Sequence, residues 1–139
     1  VEYDFDTSAL DNCPVGQMSL PGVEGLVIQL PCDRDLTQLL AKEAQRLYGR
    51  VHLGVVATGD KFVADPQLGD WLQKEFGAMA CEMEGGATAH ACLVNQVPCA
   101  VLRTISDNAH DSETVDFVTF ANDSARKAQE FLKTVIAQL

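Results

Sequence analysis

Apolar and polar residues follow one another in blocks of two kinds, short apolar runs and longer segments with helical spacing. Residues 51–58 and 98–104 have the composition of buried strands. Residues 26–30 and 78–81 are shorter apolar runs, and residues 1–5 have the pattern of a strand end. Since buried strands alternate with helices, the pattern predicts an α/β sheet covered by helices on both faces.

The helical segments have recognisable starts. Asp33 or Asp35 is the expected N-cap of the first, and Asp65 followed by Pro66 gives the second a cap and a proline at its first position. The predicted helices cover about residues 33–48, 66–76, 83–95 and 116–138.

Polar segments are expected at the ends of the apolar runs, at residues 58–63, 81–84 and 103–107. An open α/β sheet binds its ligands beyond the carboxyl ends of its strands. The sequence therefore predicts one site at which these segments meet.

Each segment allows a functional and a purely structural interpretation. Asp107, supported by Ser106, suits a general acid in a partly closed pocket, or it forms a Ser-Asp turn that caps a helix. Phe62 could stack on a flat heteroaromatic ring while the Val63 backbone bonds the ring edge, or the loop folds back onto the core.

The stretch "CEMEGG" places Glu82 and Glu84 where an apolar run meets a helix. Carboxylates accept hydroxyl protons well, so a ribose diol is a natural partner. The alternative is a pair of acids that interact only with the helix dipole. Gly85 and Gly86 disfavour a helix, which suggests that their small size permits close packing.

Composition narrows the function classes. The net charge of −10 disfavours nucleic acid and anionic membrane surfaces as partners, and no apolar run is long enough to span a bilayer. Five cysteines occur without a CxxC pair or metal-ligand spacing to histidine, and Cys81, Cys92 and Cys99 lie in apolar surroundings that predict burial. Free thiols and the lack of a signal-peptide pattern favour a cytoplasmic protein without a metal.

The motifs "TGDKFV" (58–63), "CEMEGGATAHAC" (81–92) and "RTISDNAHD" (103–111) together resemble the nucleoside phosphorylase/nucleosidase superfamily. Their order and spacing are most similar to those of 5'-methylthioadenosine/S-adenosylhomocysteine nucleosidases. The "EME" triplet is shared with purine and uridine phosphorylases. One departure is Gly85-Gly86, where the family usually has alanine or serine after the second glutamate.

The resemblance implies a role for each matched residue. Asp107 would protonate purine N7 with support from Ser106, Glu84 would bind the ribose hydroxyls, and Arg103 would act on the ribose and water side. The implied substrate-binding residues are Phe62, Val63, Glu82, Met83, Ala109 and Phe117. In the family a loop matching residues 9–21 closes the pocket of a second subunit, which makes Leu10 and Pro21 candidates for donation across a homodimer.

The implied fold is a three-layer α/β/α sandwich with a central mixed sheet, here without its N-terminal strands. Residues 1–139 would be the C-terminal portion of a single nucleosidase domain. The implied reaction is cofactor-independent hydrolysis of the N-glycosidic bond of methylthioadenosine and adenosylhomocysteine. A phosphorylase of the same superfamily and a non-catalytic nucleoside-binding fragment are the alternatives.

Overall fold

The computed structural model describes residues 1–106 and 117–139 and contains helices and short strands in alternation. Its elements are α1 (Ser8–Asp11), β1 (Met18–Ser19), β2 (Leu26–Val27), α2 (Arg34–Tyr48), β3 (Val55–Thr58), α3 (Pro66–Phe76), β4 (Ala78–Glu82), α4 (Gly85–Val94) and α5 (Phe117–Ile136).

Strands β3 and β4 pair in parallel and form the part of the sheet that carries the predicted site. Their last residues, Thr58 and Glu82, are partners in the register. Glu2 adds a parallel bridge on Thr58, and the Tyr3 amide donates to the Thr58 carbonyl at 2.9 Å. The predicted strand end at residues 1–5 therefore contributes one bridge beside β3. A second pair, β1 and β2, is antiparallel.

The predicted helix boundaries of α2 and α3 are confirmed by their caps. The Asp33 carboxylate accepts from the Leu36 amide at 2.8 Å, and the Asp65 carboxylate accepts from the Gln67 amide at 3.0 Å. Both helices end at a glycine with positive φ, 72° at Gly49 and 66° at Gly77. Glycine adopts this left-handed conformation without the steric penalty that a Cβ brings.

Helices α3 and α4 cover opposite faces of β3. Ala57 is fully buried in a cluster with Leu72 and Phe76 of α3. The next residue, Thr58, instead accepts a hydrogen bond from the amide of Gly86 in α4. Because successive strand residues point to opposite faces, the two helices lie on opposite sides, as the layered prediction requires.

Helices α2 and α5 pack against each other away from this sheet. Their shared core contains Ala44, Phe131 and Val135, all nearly inaccessible to solvent. Tyr48 stacks on Phe131 with ring centroids 6.3 Å apart and donates its hydroxyl proton to the Lys127 carbonyl at 2.8 Å. This packing explains the amphipathic pattern of the C-terminal helix.

Two strand predictions need correction. Within the predicted strand at residues 51–58, only the part that forms β3 pairs with a neighbouring strand. Residues 98–104 form no strand in the part of the chain that the structure describes. An apolar run favours burial, but a strand also needs a neighbour for its amides and carbonyls. Around residues 98–104 the Cys99 carbonyl accepts from the Asp33 amide at 2.7 Å, which is a loop contact and not a ladder.

The cysteine prediction was right about free thiols and wrong about burial. None of the five cysteines forms a disulfide, but Cys81 is exposed and Cys92 and Cys99 are half-buried. Cys81 lies in β4, where alternate residues face outward, so its apolar neighbours in sequence do not enclose it.

Candidate functional site

The site is built on the paired ends of β3 and β4. Glu82, the last residue of β4, has a side chain only 9% exposed and accepts four hydrogen bonds from the residues that the structure describes. The donors are the Thr58 hydroxyl, the amides of Glu84 and Gly85, and the Arg103 guanidinium. These donors hold the Glu82 carboxylate in one orientation.

Glu82 also supplies the N-terminal cap of α4. Its Oε2 accepts from the Glu84 amide at 3.1 Å and from the Gly85 amide at 2.7 Å. Helix N-termini leave such amides without an internal partner, and a carboxylate satisfies both the hydrogen bonds and the helix dipole. Glu82 therefore matches the structural alternative, in which the acid interacts with the start of the helix.

Glu84 has different surroundings. It occupies the N-cap position of α4, makes no side-chain capping bond and leaves 71% of its side chain exposed. Its described side-chain contact is an ion pair with Arg103, from Nη2 to Oε2 at 3.0 Å. A carboxylate that is anchored at one oxygen and open to solvent can accept protons from a hydroxyl-bearing ligand.

Arg103 joins the two glutamates. The same Nη2 atom contacts the carboxylates of Glu82 and Glu84, and the side chain is 34% exposed. Two carboxylates therefore share one guanidinium, and this group of three side chains carries a net negative charge. Such a site favours positive charge in a bound molecule.

The glycine pair permits the close packing that the sequence suggests. A Cβ on Gly86 would lie 2.8 Å from both Cβ and Oγ1 of Thr58 and 2.6 Å from Cγ of Glu2. A Cβ on Gly85 would lie 3.0 Å from Oε1 of Glu82. The absence of side chains here allows α4 to approach the strand ends directly.

The loop after β3 separates Phe62 from Val63. Phe62 is 74% exposed, whereas Val63 is buried in the α3-side cluster with Ala57 and Leu72. Val63 therefore packs back onto the core, whereas the Phe62 ring is open to a ligand. Gly59, the residue after β3, permits close packing, because a Cβ there would lie 2.3 Å from Cζ of Tyr3.

Sequence reasoning missed Thr58, Glu2 and His90. Thr58 is buried, and its hydroxyl bonds both Glu82 and the Gly86 amide. Glu2 and His90 form a pair at 3.0 Å, with side chains 14% and 26% exposed, that ties the N-terminal segment to α4. A hydroxyl at the end of a buried strand was a usable signal for Thr58. The Glu2–His90 pair joins residues 88 positions apart and had no local signal.

Four of the other predicted residues are described by the structure, and three lie wholly or partly outside the described residues. Met83 is exposed between the two glutamates, and Ser106 is half-buried after Arg103. Leu10 in α1 is 90% exposed, and Pro21 is exposed in the turn between β1 and β2. Asp107, Ala109 and the side chain of Phe117 fall outside what the structure describes.

Residues 1–106 and 117–139 contain neither a cluster suited to a metal ion nor a helix suited to cross a membrane. No group of three or more His, Cys, Asp or Glu side chains there is placed to hold a metal ion. Within the same residues, no helix combines the length and apolarity needed to cross a bilayer.

Comparisons with known proteins give a consistent result. The family model described as "Phosphorylase superfamily" matches residues 10–137. The aminodeoxyfutalosine nucleosidase of Helicobacter pylori is 35% identical over 139 residues, which is 100% of this chain and 58% of that protein.

Solved structures show the same likeness. The crystal structure of 5'-methylthioadenosine/S-adenosylhomocysteine nucleosidase from Campylobacter jejuni superposes with a TM-score of 0.83 at 33% identity, covering 99% of this chain and 58% of that one. A Helicobacter pylori nucleosidase variant with 5'-methylthioadenosine in its active site gives 0.79 at 35% identity, covering 100% and 58%. The chain thus spans somewhat over half the length of these relatives.

Proposed function

Because this chain belongs to the phosphorylase superfamily and has its phosphorylase/nucleosidase-type α/β fold, we propose that the protein containing it is an adenine nucleoside hydrolase. Its substrates are 5'-methylthioadenosine and S-adenosylhomocysteine, and residues 1–139 are the C-terminal portion of its nucleosidase domain. The observation that carries the proposal is the exposed Glu84 carboxylate, held by Arg103 at the ends of the parallel strands.

Glu84 is the ribose-binding residue in this proposal. Its exposed carboxylate accepts the protons of the ribose hydroxyls, and Arg103 fixes its direction through the 3.0 Å contact. The net negative charge of the group formed by Glu82, Glu84 and Arg103 favours a sugar that becomes cationic. Glycosidic cleavage passes through such an oxocarbenium-like transition state.

Asp107 is the general acid. Adenine leaves poorly as an anion, so protonation at N7 lets it depart as a neutral base. Ser106 supports Asp107, the exposed Phe62 ring stacks on adenine, and the Val63 backbone bonds the base edge. Water then attacks C1' of the ribose, and no cofactor takes part.

The remaining pocket residues surround the sugar and the thioether. Met83 packs on the ribose, Glu82 holds the sugar-side charges in place, and Ala109 and Phe117 line the substrate pocket. Leu10 and Pro21 come from the second copy of a homodimer. The 90% exposure of Leu10 is consistent with contact across such an interface.

A second candidate substrate is aminodeoxyfutalosine. It is favoured by the likeness of the whole chain to the Helicobacter pylori nucleosidase named for that compound. Residues that bind the ribose and the base would serve either substrate. The choice therefore rests on the group attached at the 5' position of the ribose.

The decisive experiment measures base release by the full-length protein. Methylthioadenosine, adenosylhomocysteine and aminodeoxyfutalosine are each supplied with and without phosphate. We expect phosphate-independent adenine release, fastest from the two thioethers, and a loss of about 10²- to 10⁴-fold for Asp107→Asn. Asp123→Asn, at an exposed ion pair on α5, is the matched control and keeps the full rate.

Three results would count against the proposal. Cleavage that requires phosphate would indicate a phosphorylase, and a strong preference for aminodeoxyfutalosine would favour the second candidate. No release from any of the three compounds would indicate a protein that binds nucleosides without cleaving them.

A further inference from the structure

Thr58 stands at the point where the N-terminus of α4 meets the strand ends. It is buried, it is the last residue of β3, and it pairs in register with Glu82. Its hydroxyl donates to Oε1 of Glu82 and accepts from the Gly86 amide at 2.7 Å. The hydroxyl therefore connects β3, β4 and α4 through one atom.

The direction of these hydrogen bonds is fixed by the donors. An amide can only donate, so the Gly86 N–H occupies an acceptor position on Thr58 Oγ1. A hydroxyl has one proton, and among the described residues the other hydrogen-bond partner of Oγ1 is the Glu82 carboxylate. Thr58 thus presents its proton to Glu82 and fixes the carboxylate as an acceptor.

Together, Thr58 and Glu82 cap α4 from outside the helix. The Glu82 carboxylate accepts hydrogen bonds from the amides of Glu84 and Gly85, and the Thr58 hydroxyl accepts one from the amide of Gly86. Three consecutive amides at the helix start are therefore held by the two strand ends. Since Glu84 is the N-cap residue of α4, the position of its backbone depends on these contacts.

We propose that Thr58 is a positioning residue for the ribose-binding carboxylate, an inference that rests on the proposed nucleosidase function. Its hydroxyl sets the orientation of Glu82 and the start of α4. Glu82 holds Arg103, and Arg103 in turn holds Glu84. Thr58 itself does not touch the substrate.

The test combines Thr58→Val with nucleosides that lack one ribose hydroxyl. Valine keeps the shape of threonine but leaves the Glu82 oxygen and the Gly86 amide without this partner. We expect kcat/KM for methylthioadenosine to fall about 10- to 100-fold in the full-length protein, the loss typical of a hydrogen bond to a charged group. One of the 2'-deoxy and 3'-deoxy analogues lacks the hydroxyl that Glu84 contacts. For that analogue Thr58→Val should lower kcat/KM less than about threefold, because the position of the Glu84 carboxylate no longer matters.

Controls separate positioning from general damage. Thr58→Ser retains the hydroxyl and restores most of the activity. Thr134→Val makes the same chemical change on α5, where the described partner of the hydroxyl is the Glu130 carbonyl, and leaves kcat/KM unchanged. If Thr58→Val does not fold, Gly86→Ala applies the same test, because its Cβ would lie 2.8 Å from Cβ of Thr58 and displace it.

The outcomes are distinct. An equal loss on the ribose and deoxy substrates, or no loss, overturns the positioning role of Thr58. Absence of adenine release by the wild-type protein instead overturns the proposed function, whatever Thr58 does.

Discussion

Glu82 and Glu84 have the same side chain and lie two positions apart, but their surroundings differ. Glu82 is nearly buried and accepts four hydrogen bonds from described residues. Glu84 is largely exposed and makes no capping bond. A buried carboxylate with many donors contributes to stability, whereas an exposed one at a strand end is available to a ligand.

Substitutions at the two glutamates should therefore separate stability from activity. Glu82→Gln removes a charge from a nearly buried site that accepts hydrogen bonds from several described groups, and it should lower the free energy of unfolding by about 2 kcal/mol. Glu84→Gln should leave stability within about 0.5 kcal/mol of wild type and lower kcat/KM at least about tenfold. Thermal or urea unfolding and adenine-release kinetics on the full-length protein check both expectations.

Glu75→Gln is the matched control, because Glu75 is an exposed glutamate on α3. It should change neither quantity. Loss of activity without loss of stability at Glu82, or the reverse at Glu84, would contradict the division of tasks between them.

At the scale of elements, helix boundaries were predictable because their signals are local. Aspartate N-caps and positive-φ glycines act within a few residues, and the boundaries of α2 and α3 follow them closely. The boundaries of α4 were less accurate. Its cap comes from Glu82 and from Thr58, which lies 28 positions away from Gly86.

The cap of α2 gives a direct test of a local signal. Asp33→Ala removes the 2.8 Å bond to the Leu36 amide and should cost about 1 kcal/mol of unfolding free energy. Asp33→Asn keeps a side-chain oxygen and should cost much less, since asparagine is an equally good N-cap. Urea unfolding monitored by circular dichroism measures both. Equal losses would show that charge and not capping is responsible.

At the scale of the whole molecule, the proposed homodimer places Leu10 of one copy at the site of the other. A complementation experiment tests this directly. Leu10→Ala subunits and Glu84→Gln subunits are each impaired, but a mixed dimer contains one site with an intact Glu84 and an intact Leu10. Co-expression should therefore give more activity than the average of the two separate variants.

The control for complementation pairs Glu84→Gln with Leu53→Ala, which changes another exposed leucine outside the 9–21 loop. The Leu53 variant alone should keep its activity. If co-expression of the Leu10 and Glu84 variants gives only their average, Leu10 does not act across an interface.

The sequence by itself determined the α/β class, the ends of two helices and the polar segments at the ends of β3 and β4. These features depend on the period of apolar residues and on caps, both of which act over short distances. The family resemblance added the expected fold and the candidate roles of Glu84, Arg103 and Asp107.

Only the tertiary structure decided which polar groups meet. It paired Thr58 with Glu82, placed Arg103 between two glutamates and joined Glu2 to His90. It also left residues 98–104 without the strand that their apolar composition suggested. Hydrogen bonds and ion pairs between distant residues depend on how elements pack, and a single sequence records the donors and acceptors but not their partners.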